Sequence, residues 1–140
     1  MLIKYTQDYM RLLLSLFIIC MAVSATAQTQ YEMNMEAAAE YQKADKELNK
    51  VYEEIIKRNT ADTAFIRNLK ISQRLWVQFR DAELKMKYPE REKGYYGSTQ
   101  PLCEYEYLEE LTKERITRLK QWLEGNEEGD SCGGTLPIKE

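Results

Sequence analysis

The side chains that most often perform catalysis are scarce in this sequence. It contains no histidine, which excludes serine–histidine and cysteine–histidine catalysis and removes the commonest metal ligand. Acidic pairs such as Glu109 with Glu110 are frequent, but they are typical of any solvated helix face. No glycine-rich phosphate loop precedes a predicted helix, and two cysteines separated by 28 residues do not make a zinc site. We predict a protein that is not an enzyme, with no catalytic residue, no metal and no cofactor.

A more informative set of polar side chains borders the apolar stripes of three predicted helices. Its members are Asp45, Asn49 and Tyr52 on the first helix, Gln73, Trp76, Arg80 and Asp81 on the second, and Thr112 and Arg115 on the third. In a packed bundle these groups would form one hydrogen-bonded network in which each arginine meets a carboxylate. Alternatively, Arg80 and Arg115 line a cleft that binds an anion. The sequence leaves both interpretations open.

The helices that position these groups follow from the spacing of the apolar residues. A first amphipathic helix is predicted from about Tyr31 to Arg58, because apolar residues recur every three or four positions along it. These residues are Met33, Ala37, Tyr41, Ala44, Leu48, Val51 and Ile55. Thr60 or Asp62 is placed to cap the next helix, so the first two helices form a tight hairpin.

The second helix is predicted from about Thr63 to Lys87. It ends ahead of Pro89, because the residue before a proline is pushed out of the helical region. Its core stripe is predicted to consist of Phe65, Leu69, Ser72, Trp76, Phe79, Glu83 and Met86. Glu83 is the charged member of this stripe, and a position at the rim near the helix end would give its carboxylate water or a partner.

An irregular connection is predicted between the second and third helices, from Tyr88 to Leu102. Connections of this length without secondary structure are often functional. The candidate partner-binding residues within it are Arg91, Lys93, Tyr95 and Tyr96. The two tyrosines either form a recognition tip, because tyrosine offers contact area at low entropy cost, or fold back onto the helix ends.

The third helix is predicted from about Glu104 to Glu124, with Gly125 as its C-terminal stop. Its inward stripe is predicted to be Tyr105, Leu108, Thr112, Arg115, Leu119 and Trp122. The remaining residues, 125–140, form a glycine-rich tail.

The N-terminus has the pattern of a secretory signal peptide over residues 1–27. Basic residues flank its first part, residues 12–23 are apolar, and residues 24–27 supply a cleavage site of small residues. The apolar run of about 12 residues is shorter than the roughly 20 that a membrane-spanning helix needs, so no span is expected after cleavage. The alternatives are an uncleaved anchor, or lipid attachment at Cys20, which Ile19 disfavours.

Cleavage would change the charge and the cysteine content of the chain. The sequence has 20 Lys and Arg against 23 Asp and Glu; removing two basic residues and one acidic residue leaves 18 against 22, a net charge of −4. Nucleic acid is therefore not an expected partner. Cleavage also removes Cys20, and in an oxidising compartment we expect the remaining Cys103 and Cys132 to form a disulfide. Two free thiols are the alternative.

The composition fits one small helical domain, since 44% of the residues are hydrophobic and 31% charged, with only 6 Gly and 3 Pro. The predicted fold is all-α, a three-helix antiparallel bundle with a long loop between helices 2 and 3. We divide the chain into a signal peptide at 1–27, a helical domain at 28–124 and a tail at 125–140 tethered by Cys132.

Several short motifs resemble the LprI-type lysozyme-inhibitor N-terminal domain family, whose members are small exported helical domains. The matching pieces span about residues 30–123 and agree with the family in order and spacing. They are Glu32-Met33-Asn34, Ala37-Ala38-Ala39-Glu40-Tyr41, Asp45-x-x-Leu48-Asn49-x-x-Tyr52, Gln73-x-x-Trp76-x-x-x-Arg80-Asp81-Ala82-Glu83, Gly97-Ser98 and Leu111-Thr112-x-x-Arg115-x-x-x-Leu119.

The chain departs from this family at three positions. Family members often carry cysteines where this chain has Met35, Glu83 and Tyr107. In those relatives the cysteines at the last two positions would link helix 2 to helix 3, so both partners are replaced together here. Cys103 with Cys132 would then be a substitute clamp.

The resemblance implies a periplasmic or secreted protein-binding domain that inhibits lysozyme. Animal-type lysozyme is basic and has two active-site carboxylates, so charge would steer an acidic inhibitor towards it, and the basic and aromatic loop would enter its cleft. One alternative is a cell-envelope structural or stress-related module with no lysozyme contact. Another is an enzyme that acts on cell-wall glycans through two carboxylates about 5 to 10 Å apart.

Overall fold

The computed structural model describes the backbone of residues 2–139 and the side chains of residues 29–139. Three helices account for most of it: α1 (Leu2–Arg58), α2 (Thr63–Lys87) and α3 (Gln100–Glu124). Between residues 2 and 139 there is no strand beyond an isolated bridge of Asn126 with Ile138. The predicted all-α class with three helices is confirmed.

The first helix begins at Leu2, far ahead of the predicted Tyr31. The predicted signal peptide falls on Met1 and on residues whose side chains are outside the described part of the chain, so it stays a prediction. Across the residues described, none of the three helices combines the length and the hydropathy that crossing a bilayer requires.

The helices run up, down and up, so that α1 and α3 are parallel. At one end of the bundle the Asn34 amide donates to the Ser98 carbonyl, and towards the other end Lys120 pairs with Glu47 at 2.7 Å. α2 runs the opposite way, with Tyr107 of α3 bonded to Glu83 near the C-terminus of α2. The long loop, residues 88–99, therefore lies at the same end as residue 34, and the tail lies at the opposite end.

The core is built mainly between α1 and α3, which pack closely, while α2 packs more loosely against α3. The buried apolar residues are Ala37, Ala44, Leu48, Val51 and Ile55 from α1, Leu69 from α2, and Leu108, Ile116 and Leu119 from α3. Phe65, Trp76 and Trp122 pack against this cluster and are only partly buried. Met33, predicted to lie on the α1 stripe, is exposed close to the end of the bundle.

The predicted core stripe of α2 is wrong in its second half. Phe79 and Met86 leave 54% and 69% of their surface in solvent. They lie with Ile71 and Leu75 in an exposed apolar row, which we call the outer row of α2. Because α2 carries apolar residues on two faces, its periodicity alone does not identify the face that is buried.

The ends of the helices follow from local chemistry. Asp62 caps α2 by accepting the N–H of Phe65 at 2.9 Å. α3 begins at Gln100, four residues before the predicted start. Pro101 does not prevent this, because a proline in the first turn has no N–H that the helix would need to bond. It ends at Gly125, where φ is 76° and a Cβ would lie 2.7 Å from the Pro137 carbonyl oxygen, so only glycine fits.

The predicted disulfide between Cys103 and Cys132 is absent, and both cysteines are free. Cys103 lies in the first turn of α3, whereas the tail follows the last turn, and roughly 30 Å of helix separates the two ends. The tail is held at that far end by other contacts. Trp122 Nε1 donates to Thr135 Oγ1 at 3.1 Å, and the N–H of Asn126 donates to the Pro137 carbonyl at 2.7 Å.

Candidate functional site

The seam between α2 and its neighbours is centred on Trp76, which two arginines approach. The guanidinium carbon of Arg80 lies 5.4 Å from the Trp76 ring centroid, and that of Arg115 lies 5.8 Å from it. Both distances are within the range of a cation–π contact. Trp76 is half-buried, so the indole is packed by the two guanidiniums as well as by apolar groups.

Arg80 lies close to two carboxylates. Its side chain is only 12% exposed, and it lies 2.9 Å from Asp81 on its own helix and 3.6 Å from Asp45 on α1. It also lies 5.9 Å from the Tyr41 ring centroid, a contact that the sequence did not indicate. Arg80 therefore connects α2 to α1, which otherwise have few close contacts.

Arg115 has only neutral partners. Its Nε donates to Gln73 Oε1 at 3.0 Å and its Nη2 to Ser72 Oγ at 3.1 Å. Among residues 29–139 no carboxylate forms an ion pair with it. Burial, with the nearby charge of Arg118, lowers the pKa of Arg115. The Arg115 charge is thus half-buried and not neutralised by the described part of the protein.

The remaining predicted polar residues do not extend a single network across the seam. Thr112 is fully buried, but its hydroxyl donates to the Leu108 carbonyl of its own helix at 2.7 Å. The Asn49 amide donates to Asp45 at 3.2 Å on the exposed side of α1. Tyr52 packs against the core, and burial raises its pKa. The nine residues therefore divide into an Arg80 cluster, an Arg115 cluster and residues that bond within their own helix or pack on the core.

A second contact between α2 and α3 lies near the loop. The Tyr107 hydroxyl donates to Glu83 at 3.0 Å, and Lys87 Nζ lies 3.7 Å from the centroid of the Tyr107 ring. Desolvation, followed by the bond to Glu83, raises the pKa of Tyr107. Glu83 lies at the rim near the helix end. Glu83 and Tyr107 are two of the three positions at which the resemblance places cysteines in other family members, so here a hydrogen bond joins the helices at the expected position of that link.

The two candidate tyrosines of the loop at residues 88–99 are adjacent in sequence but have different environments. Tyr96 folds back, because its hydroxyl donates to the Pro89 carbonyl at 2.9 Å and its ring meets Tyr88 edge-on. Tyr95 points outward with 62% of its surface exposed, and the Arg91 guanidinium lies 5.9 Å from its ring centroid. Lys93 is exposed. The accessible candidates are thus Arg91, Lys93 and Tyr95.

A row of carboxylates runs along the outer face of α3, from its second turn near the loop to just beyond the middle of the helix. Glu106, Glu110 and Glu114 are exposed and are spaced four residues apart, which places them along one side of the helix. None of the three forms an ion pair within residues 29–139, whereas the neighbouring Glu109 pairs with Lys113 at 2.5 Å. We call these three residues the acidic row of α3.

Comparison with known proteins shows which family the sequence resembles. The family model described as "Lysozyme inhibitor LprI" matches residues 20–119 of the chain. A protein of Rhizobium meliloti (strain 1021), described as uncharacterized protein R02472, is 32% identical over 112 residues, which cover 72% of this chain and 78% of that relative. No solved structure matches the chain.

Proposed function

The chain belongs to the family of the lysozyme inhibitor LprI, and on that basis we propose that it is an exported, non-enzymatic protein-binding domain that inhibits a lysozyme. The family match over residues 20–119 is the observation that carries this proposal. Removal of a signal peptide ending at Ala27 and a periplasmic or secreted location belong to the same proposal.

The charges near the loop suit a basic partner. The acidic row of α3 presents three carboxylates without an ion pair in the described residues, and the chain as a whole carries a net charge of −3. Carboxylates at an interface speed the encounter with a basic protein more than they hold the final complex. The acidic row would therefore steer a basic lysozyme towards this face of α3, and Glu106, the first member of the row, is the one nearest the loop.

The loop supplies groups that fit a cleft lined by carboxylates. Tyr95 offers an exposed aromatic ring, and Arg91 and Lys93 offer positive charge beside it. A lysozyme cleft holds two catalytic carboxylates, so a guanidinium or ammonium placed between them would neutralise their charge and block the substrate. Exposed tyrosine and arginine are also the residues most often found at energetic centres of protein interfaces.

The direct test is the turnover of lysozymes of several classes with increasing amounts of the purified protein. We expect saturable inhibition of at least one class. Tyr95→Ala should weaken it by about tenfold or more, whereas Phe79→Ala, an equally accessible aromatic ring on a different face, should leave it unchanged. Unchanged turnover of every lysozyme at micromolar excess would remove the proposal in favour of an envelope module with no lysozyme contact.

The steering role of the acidic row has its own control. Replacing Glu106, Glu110 and Glu114 with Gln should slow association several-fold at low salt and have little effect at high salt. The same substitutions at Glu53, Glu124 and Glu128 remove an equal charge from exposed sites away from the loop. Equal slowing by both triple variants would show that only the net charge matters.

A further inference from the structure

A groove of about 390 Å³ lies at the opposite end of the bundle from the loop. It runs between the first half of α2, the last half of α3 and the tail. Its walls are mostly apolar, formed by Phe65, Leu69, Leu119 and Trp122. Arg115 and Ser72 lie at one end of it, and Asp62 and Ala64 lie at the other, a distance of about 12–15 Å along α2.

The polar groups at the two ends differ in what they can still bind. Asp62 is occupied as the cap of α2, where it accepts the Phe65 N–H. Arg115 uses Nε and Nη2 for Gln73 and Ser72, which leaves Nη1 without a hydrogen-bond partner among residues 29–139. An arginine has five N–H donors and binds a carboxylate best in a two-pronged geometry. The Arg115 end of the groove thus offers an anion site.

We propose that this groove binds a small amphiphilic carboxylate, with its apolar part lying along Leu69, Leu119 and the adjoining rings of Phe65 and Trp122, whose centroids are 6.2 Å apart, and with its carboxylate on the guanidinium of Arg115. The volume falls within the range of small-molecule sites, and a mostly apolar lining with one charged group at an end is typical of them. The carboxylate gives Arg115 the counter-charge that the described residues do not supply. This inference is independent of lysozyme inhibition.

Intrinsic fluorescence gives a direct readout, because one of the two tryptophans of the chain lines the groove and the other contacts Arg115. Trp122 lines the groove, and the Trp76 ring centroid lies 5.8 Å from the Arg115 guanidinium carbon. Titrating octanoate into the purified protein should change this fluorescence saturably. Octanol and octylammonium have the same chain without the negative charge, and both should bind at least tenfold more weakly.

Three variants locate the site. Arg115→Gln should weaken octanoate at least tenfold, and Arg118→Gln, which removes a neighbouring guanidinium outside the groove, should not. Ala64→Phe fills the exposed end of the groove from a surface position, so it should reduce octanoate binding without unfolding the protein, and it should leave lysozyme inhibition unchanged. If Arg115→Gln does not fold, Ala64→Phe and the octanol comparison decide.

Several results would overturn the proposal. One is the absence of a saturable response to octanoate at millimolar concentration. Another is equal binding of octanol, which would remove the role of Arg115 as an anion site. Unchanged octanoate affinity in a folded Ala64→Phe variant would place the ligand outside the groove.

Discussion

Replacing Arg80 with Met measures how far a single guanidinium holds α2 to the rest of the bundle. Methionine keeps most of the buried aliphatic stem, so the change removes mainly the charge and its contacts. The two ring contacts, with Trp76 at 5.4 Å and Tyr41 at 5.9 Å, contribute about 1 kcal/mol together. The pair with Asp45, whose side chain is 41% exposed, adds less than about 1 kcal/mol after solvent screening.

The bond between Arg80 and Asp81 adds little to this sum, because adjacent residues can also pair in the unfolded chain. The free energy of unfolding of Arg80→Met should therefore fall by about 1–2 kcal/mol, which corresponds to roughly 4–8 °C in Tm for a domain of this size. Urea titration followed by far-ultraviolet circular dichroism measures the loss without relying on Trp76 fluorescence.

Arg74→Met is the matched control, because Arg74 lies on the same helix, is exposed and forms no ion pair within residues 29–139. It should change the free energy of unfolding by less than about 0.5 kcal/mol. A double-mutant cycle with Asp45→Asn should give a coupling of about 0.3–1 kcal/mol that decreases with added salt. Equal losses for Arg80→Met and Arg74→Met would refute the reasoning, as would a loss above about 4 kcal/mol, which indicates a fully buried charge.

Three further predictions follow from burial, charge and cysteine chemistry. Leu119→Ala should cost about 2–5 kcal/mol by leaving a cavity, whereas Leu75→Ala on the outer row should cost less than about 1 kcal/mol in the same urea titration. The hydrogen bond from Lys120 lowers the pKa of Glu47 in the folded protein. The contribution of this pair to stability is therefore complete above about pH 4.5 and is lost as the pH falls through the lower pKa of the folded state. Glu47→Gln should flatten that acid limb, by no more than about 0.5 kcal/mol for so exposed a pair, and an unaltered limb would contradict this. Mass spectrometry after alkylation without reductant should find both Cys103 and Cys132 labelled, and Cys132 should react faster because it is more exposed. If neither cysteine is labelled, the two form the disulfide after all.

The helices could be predicted from the sequence because α1 and α3 each carry one wide apolar stripe. Leu48, Ile55 and Leu119 were placed in the core by spacing alone, and the limits of α2 followed from Asp62 and Pro89. The buried face of α2 could not be predicted in the same way, since Trp76 and Phe79 are both large, apolar and at helical spacing. Only the positions of α1 and α3 decide between them.

The site was predictable where opposite charges sit at helical edges and not where partners are neutral. Asp45 and Asp81, the two carboxylates near Arg80, both belong to the polar set that borders the predicted apolar stripes. Ser72 was expected on the core stripe of α2 and Gln73 beside it, but spacing alone did not identify these two neutral groups as the partners of Arg115. The disulfide was mispredicted because the even number of cysteines was not weighed against the predicted third helix, whose length of roughly 30 Å separates Cys103 from the start of the tail.

The parallel pairing of α1 with α3 has a consequence for folding, because the main core needs both ends of the helical domain. The hydrogen bonds that join these helices link residues 65 and 73 positions apart in sequence, so the main core closes a loop that contains all of α2. Such closure is slow compared with the formation of a local hairpin. Before α3 is made, the apolar stripe of α1 can bury itself only against the few core residues of α2, such as Leu69. A chain truncated before Leu108 therefore lacks most of the surface that covers α1.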